Sequence, residues 1–268
     1  MMKLIADSSA NLTMLEGVTY QSVPMTIRAG ERDFVDDETL DTHELLDYLA
    51  AYNGKSGTAC PSLDGWLKAF EGADEIFVIT ITSSLSGTCA SAMAARDVYL
   101  QSHPEVKIHI FDTLSTGPEM QLLAEKLAEL HAKGLPFDVI CEKAQEYLAT
   151  THLFFSLKSL HNLAQNGRVS KIAAGAIGIL GIQILATASL EGTIQPVEKC
   201  RGEKKTCAAM VQKLLEADYH AENPEAAGAL AASLRGHFPE ADIEIRPCRG
   251  LCSYYAERGG VIVGFETM

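Results

Sequence analysis

Apolar positions along this chain alternate between two periods. Short continuous runs rich in β-branched residues, at 3–7, 75–82 (EIFVITIT), 106–112 and 153–157, predict buried strands. Between them, apolar residues spaced three and four apart predict helices. These cover 42–52 (Leu45, Leu46, Leu49), 61–70 with Pro61 in its first turn, the alanine-rich 87–100, and 120–132 and 137–149, parted by Gly134-Leu135-Pro136. Further on, the pattern predicts a short helix at 159–165 ending at Asn166-Gly167, and a glycine-interrupted apolar helix at 173–180. A hairpin of 184–190 and 193–199 turns at Glu191-Gly192, and an amphipathic helix follows at 204–216. The tail predicts strand 217–221, helix 225–237, strand 242–247 and a glycine-rich strand 260–265.

Strands alternating with helices of roughly 10 to 15 residues predict an α/β fold with mostly parallel sheets. The hairpin breaks that rhythm. The chain is therefore expected to form two α/β domains, 1–152 and 153–268, with the last strands free to return to the first domain.

The 268 residues are 47% hydrophobic and 21% charged, which suits a folded protein with a sizeable core. The net charge of −13 argues against binding a phosphate backbone, which needs a basic face, and against stable residence on an anionic membrane. No run of about 18 apolar residues predicts a spanning helix, and the N-terminus lacks the apolar core of a signal peptide. A cytoplasmic location is expected, and the odd number of scattered cysteines, seven, fits reduced thiols. Cys248 and Cys252 have no nearby histidine and fall short of the four clustered ligands of a structural zinc site, so no metal is expected.

The chemistry concentrates where a buried strand runs into hydroxyls and then a helix: Thr80-Ile81-Thr82-Ser83-Ser84-Leu85-Ser86-Gly87-Thr88. Such a turn sets backbone N–H groups at a helix N-terminus beside side-chain hydroxyls, an arrangement that suits an anion. In a parallel sheet it lies at the carboxyl ends of the strands, where ligands bind. Helix capping by Ser84 or Ser86 is the better account of any one serine, while the run of four hydroxyls with a glycine favours ligand binding for the cluster as a whole. A second hydroxyl loop, Thr58-Ala59-Cys60-Pro61-Ser62, also precedes a helix and offers donors to the same acceptor. Asp7 ends the first strand, where it either orients loop N–H groups or serves as an ordinary turn carboxylate.

Asp7-Ser8-Ser9, Val23-Pro24, Thr58-x-x-Pro61-Ser62, Ser83-Ser84-Leu85-Ser86-Gly87-Thr88 and Asn166-Gly167-Arg168-Val169-Ser170, in this order and spacing, resemble the DegV family of fatty-acid-binding proteins. The resemblance implies an apolar tunnel between two α/β domains that holds a long-chain fatty acid such as palmitate, stearate or oleate. It implies that Thr58 and Ser86 hold the carboxylate, with Gly87 and Thr88 nearby, and that the protein itself does no chemistry. It further implies a partner fatty acid kinase that converts the bound acid to an acyl phosphate. Arg168, and Arg201 of Cys200-Arg201-Gly202, would serve docking to that kinase. No cofactor is implied.

Two departures stand out. The family commonly has Thr-Ser-Gln-Pro where this chain has Thr58-Ala59-Cys60-Pro61, and Ala256 stands where a carboxylate-organising histidine is usual. Candidate tunnel residues are Phe154, Phe155, Leu157, Ile179, Leu180, Ile182 and Ile184, each of which also suits ordinary core. Arg168 also suits a solvent-facing turn. Two rival classes stay open. In one the chain is a serine hydrolase with Ser86 as nucleophile, although Ser84 and Thr88 stand where a GxSxG elbow has glycines. In the other it is an interaction protein with vestigial lipid binding.

Overall fold

The computed structural model describes residues 1–170, 181–215, 232–236 and 243–266. The helix expected at 173–180 and the strand at 217–221 lie outside the described residues, as does most of the helix at 225–237.

The first sheet is parallel throughout, in the order β2-β1-β6-β7, with β1 at Met2–Asp7, β2 at Thr19–Val23, β6 at Glu75–Thr80 and β7 at Lys107–Asp112. Helices cover both faces, which is why β1 and β6 read as near-continuous apolar runs. One face packs on α2 (Leu63–Phe70) and α3 (Thr88–Ser102), burying Trp66, Phe70 and Ala92 against Ile5, Ile76 and Val78. The other packs Leu4, Phe77 and Ile79 on α4 (Pro118–Ala132) and α5 (Phe137–Leu148). Pro61 lies outside α2, one residue ahead of Ser62, whose hydroxyl accepts the Gly65 N–H at 3.1 Å and so caps the helix.

A second sheet, in the order β10-β9-β8-β11, is antiparallel throughout: β8 at Thr151–Leu157, β9 at Ile182–Ala188, β10 at Ile194–Arg201 and β11 at Val261–Glu266. Among the described residues, parallel pairing is thus confined to the first sheet. The β9–β10 hairpin turns too tightly for a parallel crossover. The last strand pairs with β8 rather than rejoining the first sheet. Residues 243–249 form no strand, and Pro247 there has no N–H to give a ladder.

A small third sheet, β4-β3-β5 (Arg32–Val35, Thr26–Ala29, Ser56–Ala59), lies beside α1 (Thr42–Ala51). After the short α6 (His161–Gln165) and α7 (Glu203–Leu215) comes α8, Gly250–Ala256. It packs on α1, β3 and the 3-10 turn Ser8–Ala10, all from the first fifth of the chain. Asp36 fastens it there: its buried carboxylate accepts the Gly250 and Leu251 N–H groups at 2.9 and 2.8 Å. An anion at a helix N-terminus satisfies two orphan donors and meets the favourable end of the dipole.

Candidate functional site

The carboxyl ends of β6 and β7, the α8 helix and one face of the second sheet enclose an apolar cavity. It holds about 840 Å³ of unfilled space, its open mouth included. β8 alternates, so Leu153, Phe155 and Leu157 line the cavity while Phe154 turns to the opposite core against Phe265. Ile262 of β11 and Ile194 of β10 extend the same wall. Of the other candidate tunnel residues, Ile182 is half-buried, Ile184 is core, and Ile179 and Leu180 lie outside the described residues.

Two of the expected head-group residues border this cavity. Thr58, on β5, and Ser86, in the loop from β6 to α3, both line it. Gly87 and Thr88 stand behind Ser86: Gly87 is the N-cap of α3, and the buried Thr88 hydroxyl lies 2.8 Å from Ser86 Oγ. The Thr88 N–H also reaches Ser86 Oγ, at 3.3 Å. Ser86 Oγ thus accepts a helix-end donor one position before the cap.

The loop carrying Ser86 is held from both sides. Asp7 Oδ2 accepts the Ile81 N–H at 2.7 Å, and Oδ1 accepts the Ser9 N–H at 2.9 Å and the Ser9 hydroxyl. Burial pushes the Asp7 carboxyl up to about 6, with those hydrogen bonds opposing the rise. On the far side, Thr82 Oγ1 donates to the Gly192 carbonyl at 2.9 Å and the Ser84 hydroxyl donates to the Glu191 carbonyl. The hairpin turn therefore grips the Ser86 loop at the cavity wall. Gly192 has φ +73°, and a Cβ there would fall on Thr82 Oγ1 and 2.9 Å from Leu114 Cα.

Arg168 also lines the cavity, its Nη1 donating to the Asn166 carbonyl at 2.6 Å. Arg201 is exposed at the end of β10 and stands apart from the lining. Ala256 is part of the lining, and so is Cys252, whose thiol is pushed up by burial and donates to the Ser9 carbonyl at 3.4 Å. Among the described residues no histidine lines this cavity, and the partners of Ser86 Oγ are the hydroxyl and N–H of Thr88. That is no nucleophile–base pair. Among the described residues no group of three acidic, histidine or cysteine side chains could hold a metal ion, and no helix is long and apolar enough to cross a membrane.

Tyr255 is the site residue the sequence did not single out. Its hydroxyl lies 2.9 Å from Thr58 Oγ1, across 197 positions of chain. Nothing local in Gly250–Ala256 signals that contact.

A family model described as an uncharacterised protein, DegV family, matches residues 1–267. A DegV domain-containing protein of Streptococcus pneumoniae is 41% identical, with 98% of each chain covered. Among solved structures, a DegV family protein from Eubacterium eligens, loaded with heptadecanoic acid, is 43% identical with a TM-score of 0.96, and each chain is covered in full. The Streptococcus pneumoniae fatty acid kinase B3 protein, loaded with linoleic acid, is 40% identical with a TM-score of 0.97, covering 100% of this chain and 99% of its own.

Proposed function

The chain belongs to the DegV family, and on that premise we propose that it binds a long-chain fatty acid and presents the carboxylate to a partner kinase. The acyl chain occupies the apolar cavity, and the carboxylate lies between Thr58 and Ser86. The observation that carries this reading is that both hydroxyls border one cavity whose other walls are largely apolar.

The energetics divide the labour. Each buried methylene contributes about 0.8 kcal/mol, so some twelve to fourteen give on the order of 10 kcal/mol, of which association and ordering remove several. A buried carboxylate is costly unless hydrogen-bonded. Hydroxyl and helix-end donors to it contribute roughly 1.5–3 kcal/mol each. The tail supplies affinity and the uncharged donors fix the head. No protein group in this arrangement attacks the acid, so the chain acts as a carrier. Arg168, beside the cavity, and Arg201, on the exposed end of β10, supply cations for docking a kinase.

Organic extraction of the protein purified from cells, followed by mass spectrometry, tests the ligand. A stoichiometric acid of palmitate, stearate or oleate type is expected; a delipidated protein that takes up none of them overturns the reading. Acyl phosphate formed with the cognate kinase and ATP, trapped as a hydroxamate, tests presentation. Arg168→Ala and Arg201→Ala are expected to lower its formation, and undiminished formation in both removes the docking role.

A further inference from the structure

Two hydroxyl pairs meet at the cavity: Thr58 and Tyr255, 2.9 Å apart, both line it, and Ser86 lines it with the buried Thr88 hydroxyl 2.8 Å behind. Each hydroxyl carries one proton. Within a pair one proton is committed to the neighbouring oxygen, which leaves one to donate outward. A carboxylate only accepts, so each pair can offer it one hydrogen bond. At Ser86 the direction is biased by the backbone, because the Thr88 N–H already points at Ser86 Oγ. At Thr58 the partner is a phenol, whose aromatic ring withdraws charge from the oxygen and makes its O–H a stronger hydrogen-bond donor than an aliphatic alcohol.

We propose that Tyr255 is a positioning residue of the head-group site: its hydroxyl donates to Thr58 Oγ1 and commits the Thr58 proton to the ligand's carboxylate. This inference rests on the fatty-acid reading above and assigns a role to a residue on the opposite end of the chain.

The surroundings of Tyr255 hold its oxygen in one place. Its helix, α8, is capped by Asp36. The Tyr254 ring meets the Tyr255 ring edge-on, with centroids 4.8 Å apart and planes at 73°. The Tyr254 hydroxyl in turn lies 2.8 Å from Ser56 Oγ and accepts from Asn166 Nδ2 at 2.9 Å. Ser56 and Thr58 are alternate residues of β5 and share one face of the strand. Consecutive tyrosines of one helix therefore register the same strand at two points, so the Tyr255–Thr58 distance is set by the scaffold before any ligand arrives. Preorganised donors of this kind lose little freedom on binding.

The test compares palmitic acid with 1-hexadecanol, which has the same chain and no carboxylate, on delipidated wild type, Tyr255→Phe, Thr58→Val and the double variant. Tyr255→Phe keeps the ring and its packing. It is expected to weaken palmitic acid binding about tenfold, the scale of one hydrogen bond to a charged group, while hexadecanol affinity changes by less than about twofold. On a Thr58→Val background it should add nothing, since it acts through Thr58. Equal losses for acid and alcohol would mark a packing role and overturn the proposal. Unchanged acid affinity in Tyr255→Phe, or fully additive losses in the double variant, also overturns it. A wild type that binds neither compound sinks the fatty-acid reading and this inference together. Wild-type binding of the acid without a Tyr255 effect sinks the inference alone.

Discussion

Asp7 and Ile81 are joined by a 2.7 Å hydrogen bond from the Ile81 N–H to a fully buried carboxylate, across 74 positions of chain. That bond ties the end of β1 to the start of the Ser86 loop, and its acceptor titrates near 6. Because the folded value lies above the unfolded one, the native state binds more protons between about pH 4 and pH 6. This contribution to stability is therefore largest below pH 4 and falls as pH rises through 6, by roughly 3 kcal/mol for a shift of about two units. In Asp7→Asn the amide cannot accept from both Ser9 and Ile81. Urea unfolding from pH 4 to 7 should show a flatter profile for this variant and a loss of about 1–3 kcal/mol at pH 4. A profile parallel to wild type would refute the role of Asp7.

Ser86→Ala removes one of two hydroxyls at the proposed head-group site without touching the core. Palmitate affinity should fall about ten- to a hundredfold, equivalent to roughly 1.5–3 kcal/mol, with an unfolding midpoint close to wild type. Calorimetric titration of delipidated protein measures the first and thermal unfolding the second. Undiminished affinity would separate Ser86 from the ligand.

Asp36→Ala strips two N–H groups of α8 of their acceptor and takes a carboxylate from beside Arg249, whose Nε lies 4.0 Å from Asp36 Oδ1. The expected cost is about 3 kcal/mol, since breaking a buried charged contact leaves its partners uncompensated. Tyr255 rides on the same helix, so ligand affinity should fall with stability. Denaturant unfolding and titration on one preparation check both, and an unaltered unfolding midpoint would show that α8 does not depend on this cap.

Gly192→Ala puts a side chain into a left-handed turn and onto Thr82 Oγ1. Strain at φ +73° and the displaced hydroxyl should destabilise the protein by at least about 2 kcal/mol. Release of the bound acid, followed by stopped-flow transfer to albumin, should quicken because the Ser86 loop loses its grip on the hairpin. Wild-type release kinetics would count against the hairpin as part of the cavity's closure.

The parallel sheet was legible because both of its faces are covered: the EIFVITIT run is apolar without pause, and only a doubly buried strand reads so. The third sheet was not. Its strands are four residues long and carry Arg28, Arg32 and Asp33, so Ile27 and Phe34 are too few to set a period. Helix α8 escaped for the opposite reason. Gly250–Ala256 is buried almost all round and shows no polar face. The expected strand at 242–247 failed because Ile243 and Ile245 mimic alternation in a segment with no partner ladder among the described residues. Thr58, Ser86 and Arg168 could be named from motifs, since loop chemistry is local. The Thr58–Tyr255 and Asp36–Leu251 contacts join residues some 200 positions apart, where local pattern carries no information.

Asp36 grasping the start of α8 also has a meaning in time. The wall that Leu251, Cys252 and Tyr255 supply leaves a ribosome long after Thr58 and Ser86 have emerged. A nascent chain can complete its first sheet and still have no closed berth for a lipid, and a molecule cut short before residue 250 never gains one.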